Sequence, residues 1–200
     1  MKICTSWKCY IIKVHKCVYK PAEDSILALE ALYKLYERGR VYKRIVDLGT
    51  GTGILALGAY ELFNPDTLLA IDISPYAVRN AKCNLPSEAH IIQCNGLNCI
   101  STTWDLVIVN PPYLPVEPRS SRMTCEWWLE VSWSGVGVME KLIRDCISKG
   151  REVLMVYSTL SPINIDHIAG NARVEVLGSL KFFFEEVKAL LLQSRHPHGI

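Results

Sequence analysis

Four consecutive residues, Asn110-Pro111-Pro112-Tyr113, carry the groups needed to orient a planar amide or amine nitrogen for reaction. Such a nitrogen is a poor nucleophile because its lone pair is delocalised, so a catalyst must position the NH2 group and activate it only modestly. The Asn110 side-chain oxygen and the Pro111 carbonyl are each expected to accept one N–H and to absorb positive charge as it develops on the nitrogen. The two prolines stiffen this backbone, and the ring of Tyr113 offers a flat face to the target group. These four are therefore the predicted catalytic and substrate-binding residues.

No histidine or lysine lies in this tetrapeptide. Positioning, rather than a strong base, is therefore expected to drive the reaction, with the proton lost late to solvent. The alternative is a rigid Asn-Pro turn that merely leaves a strand. Ordinary strand exits rarely combine an asparagine, two prolines and an aromatic residue, so a substrate site is favoured.

A glycine-rich segment, Asp47 to Gly53, has the form of a loop between a strand and a helix. Such a loop lets the backbone approach a ligand closely, and the N-terminus of the following helix adds N–H donors and partial positive charge. Asp47 would repel a pyrophosphate but could accept from the ammonium group of a methionine moiety, directly or through water. This favours S-adenosylmethionine as the cofactor. A register that starts at Gly51 also satisfies the loose dinucleotide fingerprint, so a nicotinamide-dependent oxidoreductase stays open here.

Two polar residues follow the next two predicted strands. Asp72 ends one of them, where a carboxylate suits a ribose diol, and a solvated strand end is the alternative. Asn95 follows the other strand and could hydrogen-bond an adenine edge, with a plain turn asparagine as the alternative.

The apolar pattern predicts a parallel α/β sheet that could bring these motifs to one edge. Ligands of such sheets bind at the carboxyl ends of the strands, which is where the tetrapeptide falls. The predicted strands are Arg44–Leu48, Thr67–Asp72, His90–Cys94, Trp104–Val109, Glu152–Tyr157 and a closing hairpin within Arg173–Gln193, joined by Phe182 to Glu186. The predicted helices are Ser25–Glu37, Ile54–Phe63, one from Ser74-Pro75 to Asn84, Val138–Ser148 and one capped by Ser161-Pro162, with a tryptophan-rich loop after the tetrapeptide.

Composition indicates one domain of ordinary charge. The chain has 200 residues, half of them hydrophobic, which is enough for one core and too few for two ordinary domains. A formal net charge of +2 lacks the basic excess of a chain that tracks phosphates, so nucleic acid is not an expected partner. The lysine-interrupted N-terminus is unlike a signal peptide, and no apolar run approaches the ~20 residues of a membrane helix. These features predict a cytoplasmic protein without a membrane partner.

The cysteines and histidines do not suggest a metal site. The eight cysteines include no CxxC pair, and the five histidines have no ligand spacing. Buried reduced thiols are the preferred interpretation. Disulfides stay open if the source is a hyperthermophile.

Taken together, these motifs resemble class I S-adenosylmethionine-dependent methyltransferases of the type that methylates the Gly-Gly-Gln loop of peptide-chain release factors. The resemblance spans nearly the whole chain. Val18-Tyr19-Lys20-Pro21-Ala22-Glu23-Asp24-Ser25 resembles the family's N-terminal motif, and Asp47 to Gly53 resembles its cofactor loop. Asn110 to Tyr113 resembles the catalytic tetrapeptide, and Trp133 to Met139 the segment after the substrate loop.

The resemblance implies a Rossmann-like fold with a seven-stranded, mostly parallel sheet whose last strand is antiparallel, and with helices on both faces. It implies one domain over residues 1–200, in which residues 1–40 cover the cofactor site. It also implies S-adenosylmethionine as cofactor, a release factor as substrate and, because the chain is closest to the short archaeal and eukaryotic form, a small zinc-binding activator subunit. Asn95 and Lys20 depart from the acids that relatives often carry. The predicted cofactor contacts are Tyr19, Ser25, Asp47, Gly49, Gly51, Gly53, Asp72, Asn95, Gly96 and Asn110.

The tetrapeptide is shared with adenine methyltransferases of DNA and RNA, so methylation of the adenine exocyclic amine is the main alternative. No target-recognition domain is visible and the charge is balanced, which favours a protein substrate. An exposed edge strand, Ala89 to Cys94, is the expected pairing surface for an activator. Trp127, Trp128 and Trp133 are interpreted as a lid or a peptide-docking surface, with core packing preferred for at least one of them. Arg119 and Arg122 could steer an acidic or RNA-like partner, and solvated side chains are the preferred interpretation.

Overall fold

The chain builds a seven-stranded sheet from strands that alternate with helices, and its N-terminus forms a separate two-stranded sheet. The computed structural model describes residues 1–112, 119–132, 134, 139–161 and 163–194. The elements are β1 (Lys2–Cys4), β2 (Cys9–Ile11), α1 (Glu23–Glu37), β3 (Arg44–Leu48), α2 (Ile54–Phe63), β4 (Thr67–Asp72), α3 (Pro75–Ala81), β5 (His90–Gln93), β6 (Trp104–Val109), α4 (Cys125–Val131), α5 (Met139–Lys149), β7 (Gly150–Ser158), α6 (Ile165–Ala169), β8 (Arg173–Lys181) and β9 (Glu186–Gln193).

The main sheet has seven strands in the order β5-β4-β3-β6-β7-β9-β8. The strands from β5 to β7 are parallel, and the last strand, β9, is antiparallel to both of its neighbours. The chain moves outward from β3 through β4 to β5 and then returns to place β6 on the other side of β3. The strand order therefore reverses between β3 and β6, which is the point where open α/β sheets bind ligands.

Two apolar layers cover the two faces of this sheet. Successive side chains of a strand point to opposite faces, so each strand feeds both layers. Ile45 and Leu106 belong to a buried cluster that includes α1 and α2. Val46 and Val107 belong to a second cluster that includes α5 and α6. The predicted fold, with helices on both faces and an antiparallel last strand, is confirmed.

Most element bounds also agree with the sequence prediction. Three strands, Arg44–Leu48, Thr67–Asp72 and Trp104–Val109, have the predicted limits, as does the helix Ile54–Phe63. Ser74 caps α3 as predicted, because its side chain accepts from the Ala77 N–H. Helix α1 starts at Glu23 rather than Ser25, and α3 ends at Ala81 rather than Asn84.

Short elements were the ones that the apolar pattern missed. The N-terminus forms the hairpin β1–β2, and the tryptophan-rich segment contains α4 rather than loop alone. The predicted Ser161-Pro162 cap is wrong: Asn164 caps α6 by accepting from two backbone N–H groups. Pro162 lies outside the described residues. The aromatic residues Phe182 to Phe184 lie in the exposed turn between β8 and β9, within the predicted hairpin connection.

The preference for reduced thiols is also wrong, because six cysteines pair in the structure. The disulfides are Cys4–Cys9, Cys17–Cys125 and Cys94–Cys99. Cys4 and Cys9 face each other across the β1–β2 hairpin. Pairing of this kind depends on three-dimensional proximity, so the search for CxxC spacing did not reveal it. Cys83 is exposed and free, and Cys146 is buried and free.

The described residues contain neither a membrane-spanning helix nor a cluster of metal ligands. None of the described helices has the length and apolar character needed to cross a bilayer. Over the same residues, no group of three or more histidine, cysteine, aspartate or glutamate side chains is arranged to hold a metal ion.

Candidate active site

A cavity of about 740 Å³ opens at the carboxyl ends of the parallel strands. This volume falls within the range of about 300–1,000 Å³ that is usual for small-molecule sites. Most of the predicted cofactor and substrate residues lie in its wall. They are Tyr19, Ser25, Gly49, Gly51, Asp72, Asn95, Gly96, Asn110, Pro111 and Pro112. Asp47 and Gly53 lie behind the wall, and Tyr113 lies outside the described residues.

The topology explains why the glycine-rich loop and the tetrapeptide meet in this cavity. In the parallel pair β3–β6, Leu48 is opposite Val109. The loop that starts at Gly49 and the tetrapeptide that starts at Asn110 therefore leave neighbouring strands at the same level. Adjacent strands lie about 4.8 Å apart, so the two motifs are placed side by side.

The glycine-rich loop folds back on the end of β4. Gly49, Gly51 and Gly53 have φ values of +73°, +55° and +84°, a conformation that residues with a Cβ rarely adopt. The N–H groups of Gly49 and Thr50 donate to the Ile71 carbonyl at 2.8 and 2.9 Å. The backbone itself therefore forms this part of the cavity wall.

Asp47 is buried beneath the loop, with 1% of its surface exposed. Its Oδ2 atom accepts from the Thr50 hydroxyl at 2.7 Å and from the Ala56 N–H at 3.1 Å. Burial raises the pKa of Asp47 to about 7, and these two hydrogen bonds act in the opposite direction. Asp47 thus ties the loop to the first turn of α2. Its predicted ammonium contact would have to run through the Thr50 hydroxyl or a water molecule.

Asp72 lies at the end of β4 and in the cavity wall. One carboxylate oxygen accepts from the Gly51 N–H at 2.9 Å, and the other accepts from the Ser74 N–H at 2.8 Å. Burial raises the pKa of Asp72, which these backbone hydrogen bonds oppose. A carboxylate has further lone pairs, so Asp72 can hold the loop and still accept from two hydroxyl groups.

Asn110 is held by a residue that lies 86 positions earlier in the chain. Its Nδ2 atom donates to Asp24 Oδ2 at 2.9 Å. Its Oδ1 atom is buried and has no hydrogen-bond partner in the part of the chain that the structure describes. A buried acceptor without a partner is costly, so this oxygen is suited to accept from a bound ligand. Asp24 belongs to the N-terminal motif, and its sequence position alone predicted no role for it.

Helix α4 covers the cavity with two tryptophans. The Trp127 and Trp128 rings pack edge to face with centroids 4.7 Å apart, and both line the cavity. Trp128 is buried, and it belongs to neither of the two apolar layers that cover the sheet. The disulfide between Cys17 and Cys125 joins α4 to the residues just before the N-terminal motif. Trp133 lies outside the described residues.

The charged groups around the cavity favour orientation of a ligand over removal of a proton. Among the described lining residues the only cationic side chain is Arg122, and no histidine or lysine lines the cavity. Arg122, which we interpreted as solvated, is exposed and lies in the cavity wall. Exposed Arg119 is outside this wall. The arrangement can therefore accept N–H and O–H groups, and it offers no strong base in the described part of the wall.

Sequence comparison matches residues 25–124 to the methyltransferase small domain. A protein of Methanocaldococcus jannaschii that is named for protein N5-glutamine methylation is 27% identical over 190 residues, covering 90% of this chain and 93% of its own length. The release factor glutamine methyltransferase of Borreliella burgdorferi is 34% identical over 201 residues, covering 94% of this chain and 69% of its own. A tRNA1(Val) (adenine(37)-N6)-methyltransferase from a Flavobacteriaceae bacterium is 28% identical over 154 residues, covering 74% and 60%.

Structural comparison finds solved structures with a fold similar to that of this chain. The Mtq2–Trm112 complex of E. cuniculi, described as responsible for methylation of the eRF1 translation termination factor, contains a similar chain. The TM-score is 0.65 and the sequence identity 17%, over 88% of this chain and 98% of that one. At this identity, the similarity supports the fold alone.

Proposed function

This chain belongs to the methyltransferase small domain family, and from that membership we propose that it methylates the glutamine side-chain amide of a release-factor Gly-Gly-Gln motif. Family membership makes the chain a methyltransferase and sets aside the nicotinamide-dependent oxidoreductase. The observation that carries the proposal is the buried Asn110 Oδ1 atom, which has no partner among the described residues of the cavity. An acceptor in this position suits the N–H of a flat NH2 group.

The cavity wall on the β3 and β4 side fits S-adenosylmethionine, the cofactor that the family implies. When bound, this cofactor supplies a methyl group on a positively charged sulfur. Asp72 would accept from the ribose hydroxyls, and the backbone at Gly49 and Gly51 permits close approach of the ligand. Asn95 and Gly96 lie after β5, where they would face the adenine. Tyr19, Ser25 and Asp47 complete the proposed contacts, the last of these indirectly, and Gly53 supports the loop from behind.

On the opposite side of the cavity, Asn110 and Pro111 would hold the nitrogen that accepts the methyl group. The Asn110 Oδ1 atom would take one N–H of the NH2 group, and the Pro111 carbonyl would take the other. With both N–H groups fixed, the nitrogen lone pair is directed away from these oxygens. Pro111 and Pro112 limit movement of the backbone. Tyr113 keeps its predicted role as a flat face against the target group, and the nitrogen would release its proton to water.

The choice of glutamine as the substrate depends on the relatives of this chain. Two relatives, at 27% and 34% identity, carry names for glutamine methylation. A second candidate function is methylation of an adenine exocyclic amine. It is supported by the 28% identical relative that is named for methylation of a tRNA adenine. Both substrates present a flat NH2 group, so the described wall accommodates either.

We also propose that a small zinc-binding activator subunit pairs with β5. Among the described strands, β5 is at the edge of the sheet and pairs with β4 alone. His90 and Gln93 are exposed, and Ile91 and Ile92 are half-buried. Free N–H groups beside partly exposed apolar side chains favour the addition of a strand from a partner.

Methyl transfer can be tested with labelled S-adenosylmethionine and a release factor, in the presence and absence of a candidate activator. Mass spectrometry of the digested release factor then locates the methyl group. We expect one methyl on the Gly-Gly-Gln glutamine and none when that glutamine is replaced by alanine in the substrate. Label in nucleic acid with none in the Gly-Gly-Gln peptide would favour the adenine alternative. Full activity without any activator would count against the proposed partner.

A further inference from the structure

The amide of Asn110 can present either of two ends to the cavity, and only one of them suits the proposed reaction. The oxygen and the NH2 group of an asparagine have nearly the same shape, so neighbouring hydrogen bonds decide which end points where. If the NH2 group faced the cavity, two donors would oppose each other when an NH2 substrate entered. The orientation of this amide therefore decides whether the site can bind its substrate productively.

Asp24 is the neighbour that settles this choice. Its Oδ2 atom accepts from Asn110 Nδ2 at 2.9 Å. A carboxylate offers acceptors only, so it selects the NH2 end of the amide and leaves Oδ1 without a partner among the described residues. We propose that Asp24 is a positioning residue that fixes the Asn110 amide with its oxygen towards the methyl-accepting nitrogen. This inference rests on the proposed N-methyl transfer.

The carboxylate of Asp24 is itself held in place. Asp24 lies in the first turn of α1 and is 6% exposed. Its Oδ1 atom accepts from the Ser25 N–H at 2.6 Å and from the Ser25 hydroxyl at 3.2 Å. The Tyr19 hydroxyl donates to Oδ2 at 3.2 Å. The positive end of the helix favours a carboxylate at this position. Asp24 therefore acts as a fixed acceptor on the side of Asn110 that faces away from the substrate.

An isosteric substitution at Asp24 is expected to reverse the orientation of the Asn110 amide. In Asp24→Asn, the new side-chain oxygen is expected to stay on the Ser25 N–H, which places the new NH2 group against Asn110. Asn110 would then turn its oxygen towards residue 24 and its NH2 group into the cavity. Misplacement of one group by a short distance can lower the rate about 100-fold. We expect a loss of kcat of about that size, with S-adenosylmethionine affinity unchanged.

A second substitution, at residue 110, should again place an oxygen acceptor where the substrate binds. Asn110→Asp alone places two carboxylates against each other and is expected to be poorly active. In the double variant Asp24→Asn/Asn110→Asp, the NH2 group at residue 24 can donate to one oxygen at residue 110. The other oxygen remains available to the substrate. The double variant should therefore exceed each single variant in kcat, which a purely structural role for Asp24 does not predict.

The experiment measures kcat and KM for methylation of the Gly-Gly-Gln release factor, together with cofactor affinity and melting temperature. Glu23→Gln is the matched control, because it removes the neighbouring, exposed acid from the same helix turn. We expect this control to keep the wild-type kcat. Wild-type kcat in Asp24→Asn, or a double variant no faster than Asn110→Asp, would overturn the proposal.

A measurement independent of turnover separates this inference from the proposed function. The side-chain NH2 signals of Asn110 can be assigned by NMR through their loss in Asn110→Ala. In the wild type they should be protected from exchange with water, and in Asp24→Asn they should shift and exchange faster. Signals unchanged by Asp24→Asn would contradict the positioning role, even if the substrate proved to be different. Wild-type protein that methylates neither candidate substrate would instead contradict the proposed function alone.

Discussion

The two walls of the cavity are assembled in different ways. On the cofactor side, most hydrogen bonds of the glycine-rich loop join residues within one stretch, from Asp47 to Ser74, and one extends to Asn84, whose Nδ2 atom donates to the Thr52 carbonyl. On the side of the cavity formed by Asn110 and α4, which we call the acceptor wall, the connections join distant parts of the chain. Asp24 and Asn110 are 86 residues apart, and Cys17 and Cys125 are 108 residues apart. The first wall is thus formed mainly within one β-α-β unit and the helix that follows it, whereas the second depends on how distant segments pack. The two walls should therefore respond to different substitutions.

The largest expected effect separates the chemistry of the acceptor wall from cofactor binding. Asn110→Ala removes the buried oxygen that we expect to accept from the substrate, and loss of one such preorganised group costs about 100- to 1,000-fold in kcat. The affinity for S-adenosylmethionine should stay close to that of the wild type. Steady-state kinetics and calorimetric titration of the cofactor measure the two effects. Asn171→Ala, in the exposed turn before β8, is the control. Undiminished turnover in Asn110→Ala would show that the Asn110 oxygen is not needed for methyl transfer.

The next largest effect concerns the disulfide that ties α4 to the N-terminal segment. Cys125→Ser opens the long loop from Cys17 and should lower the free energy of unfolding by about 2–4 kcal/mol. Cys9→Ser is the matched control, because the Cys4–Cys9 disulfide closes a separation of only five residues and is expected to stabilise less. Urea unfolding with and without a reductant measures both. We also expect the KM for the release factor to rise more than the cofactor dissociation constant. Equal losses in the two variants would contradict the distinction.

A glycine substitution tests the cofactor wall by itself. Gly49→Ala forces a residue with a Cβ into φ +73°, where open space leaves backbone strain of about 1–2 kcal/mol as the main cost. Gly39→Ala carries the same strain at φ +71°, also in open space, at the end of α1. Both should lose stability to urea. Only Gly49→Ala should weaken S-adenosylmethionine binding, with the KM for the release factor unchanged. Equal cofactor affinity in the two variants would remove Gly49 from the cofactor site.

The smallest effect, counted per pH unit, is a pH dependence that belongs to the cofactor wall. Burial raises the pKa of Asp47 to about 7, so the folded protein holds this proton more tightly than the unfolded chain does. Stability should therefore fall as the pH rises from about 4 to about 7, by at most about 1.4 kcal/mol per pH unit from this group. Urea unfolding at several pH values should show that Asp47→Asn reduces this slope. Asp66→Asn, an exposed acid, should leave it unchanged. The same slope in Asp47→Asn and the wild type would contradict this origin.

The difference between the walls also explains what could be predicted from the sequence. The glycine-rich loop, the strands Arg44–Leu48 and Trp104–Val109 and the position of the tetrapeptide follow from local residue patterns. The hydrogen bond from Asn110 to Asp24 leaves no such pattern, because it forms only when α1 packs beside the end of β6. The disulfide from Cys17 to Cys125 has the same origin.

Short elements were hidden from sequence analysis for a related reason. Helix α4 has seven residues, too few for a helix that is stable on its own, so tertiary contacts must determine it. The hairpin β1–β2 is equally short and depends on packing and on its disulfide. In α6, Asn164 caps the helix although Ser161-Pro162 has the more familiar pattern. In each case, a local preference gave way to the surrounding fold.

We propose that the Asn110 oxygen directs a glutamine amide nitrogen to the methyl group. The most direct test places a Gly-Gly-Gln release factor and tRNA together in one reaction with labelled S-adenosylmethionine, using wild-type protein and Asn110→Ala. Mass spectrometry then assigns every added methyl to a residue or base. We predict label on the glutamine with the wild type and none above background with Asn110→Ala. Label on tRNA adenine alone, or equal label on the glutamine with both proteins, would contradict the account.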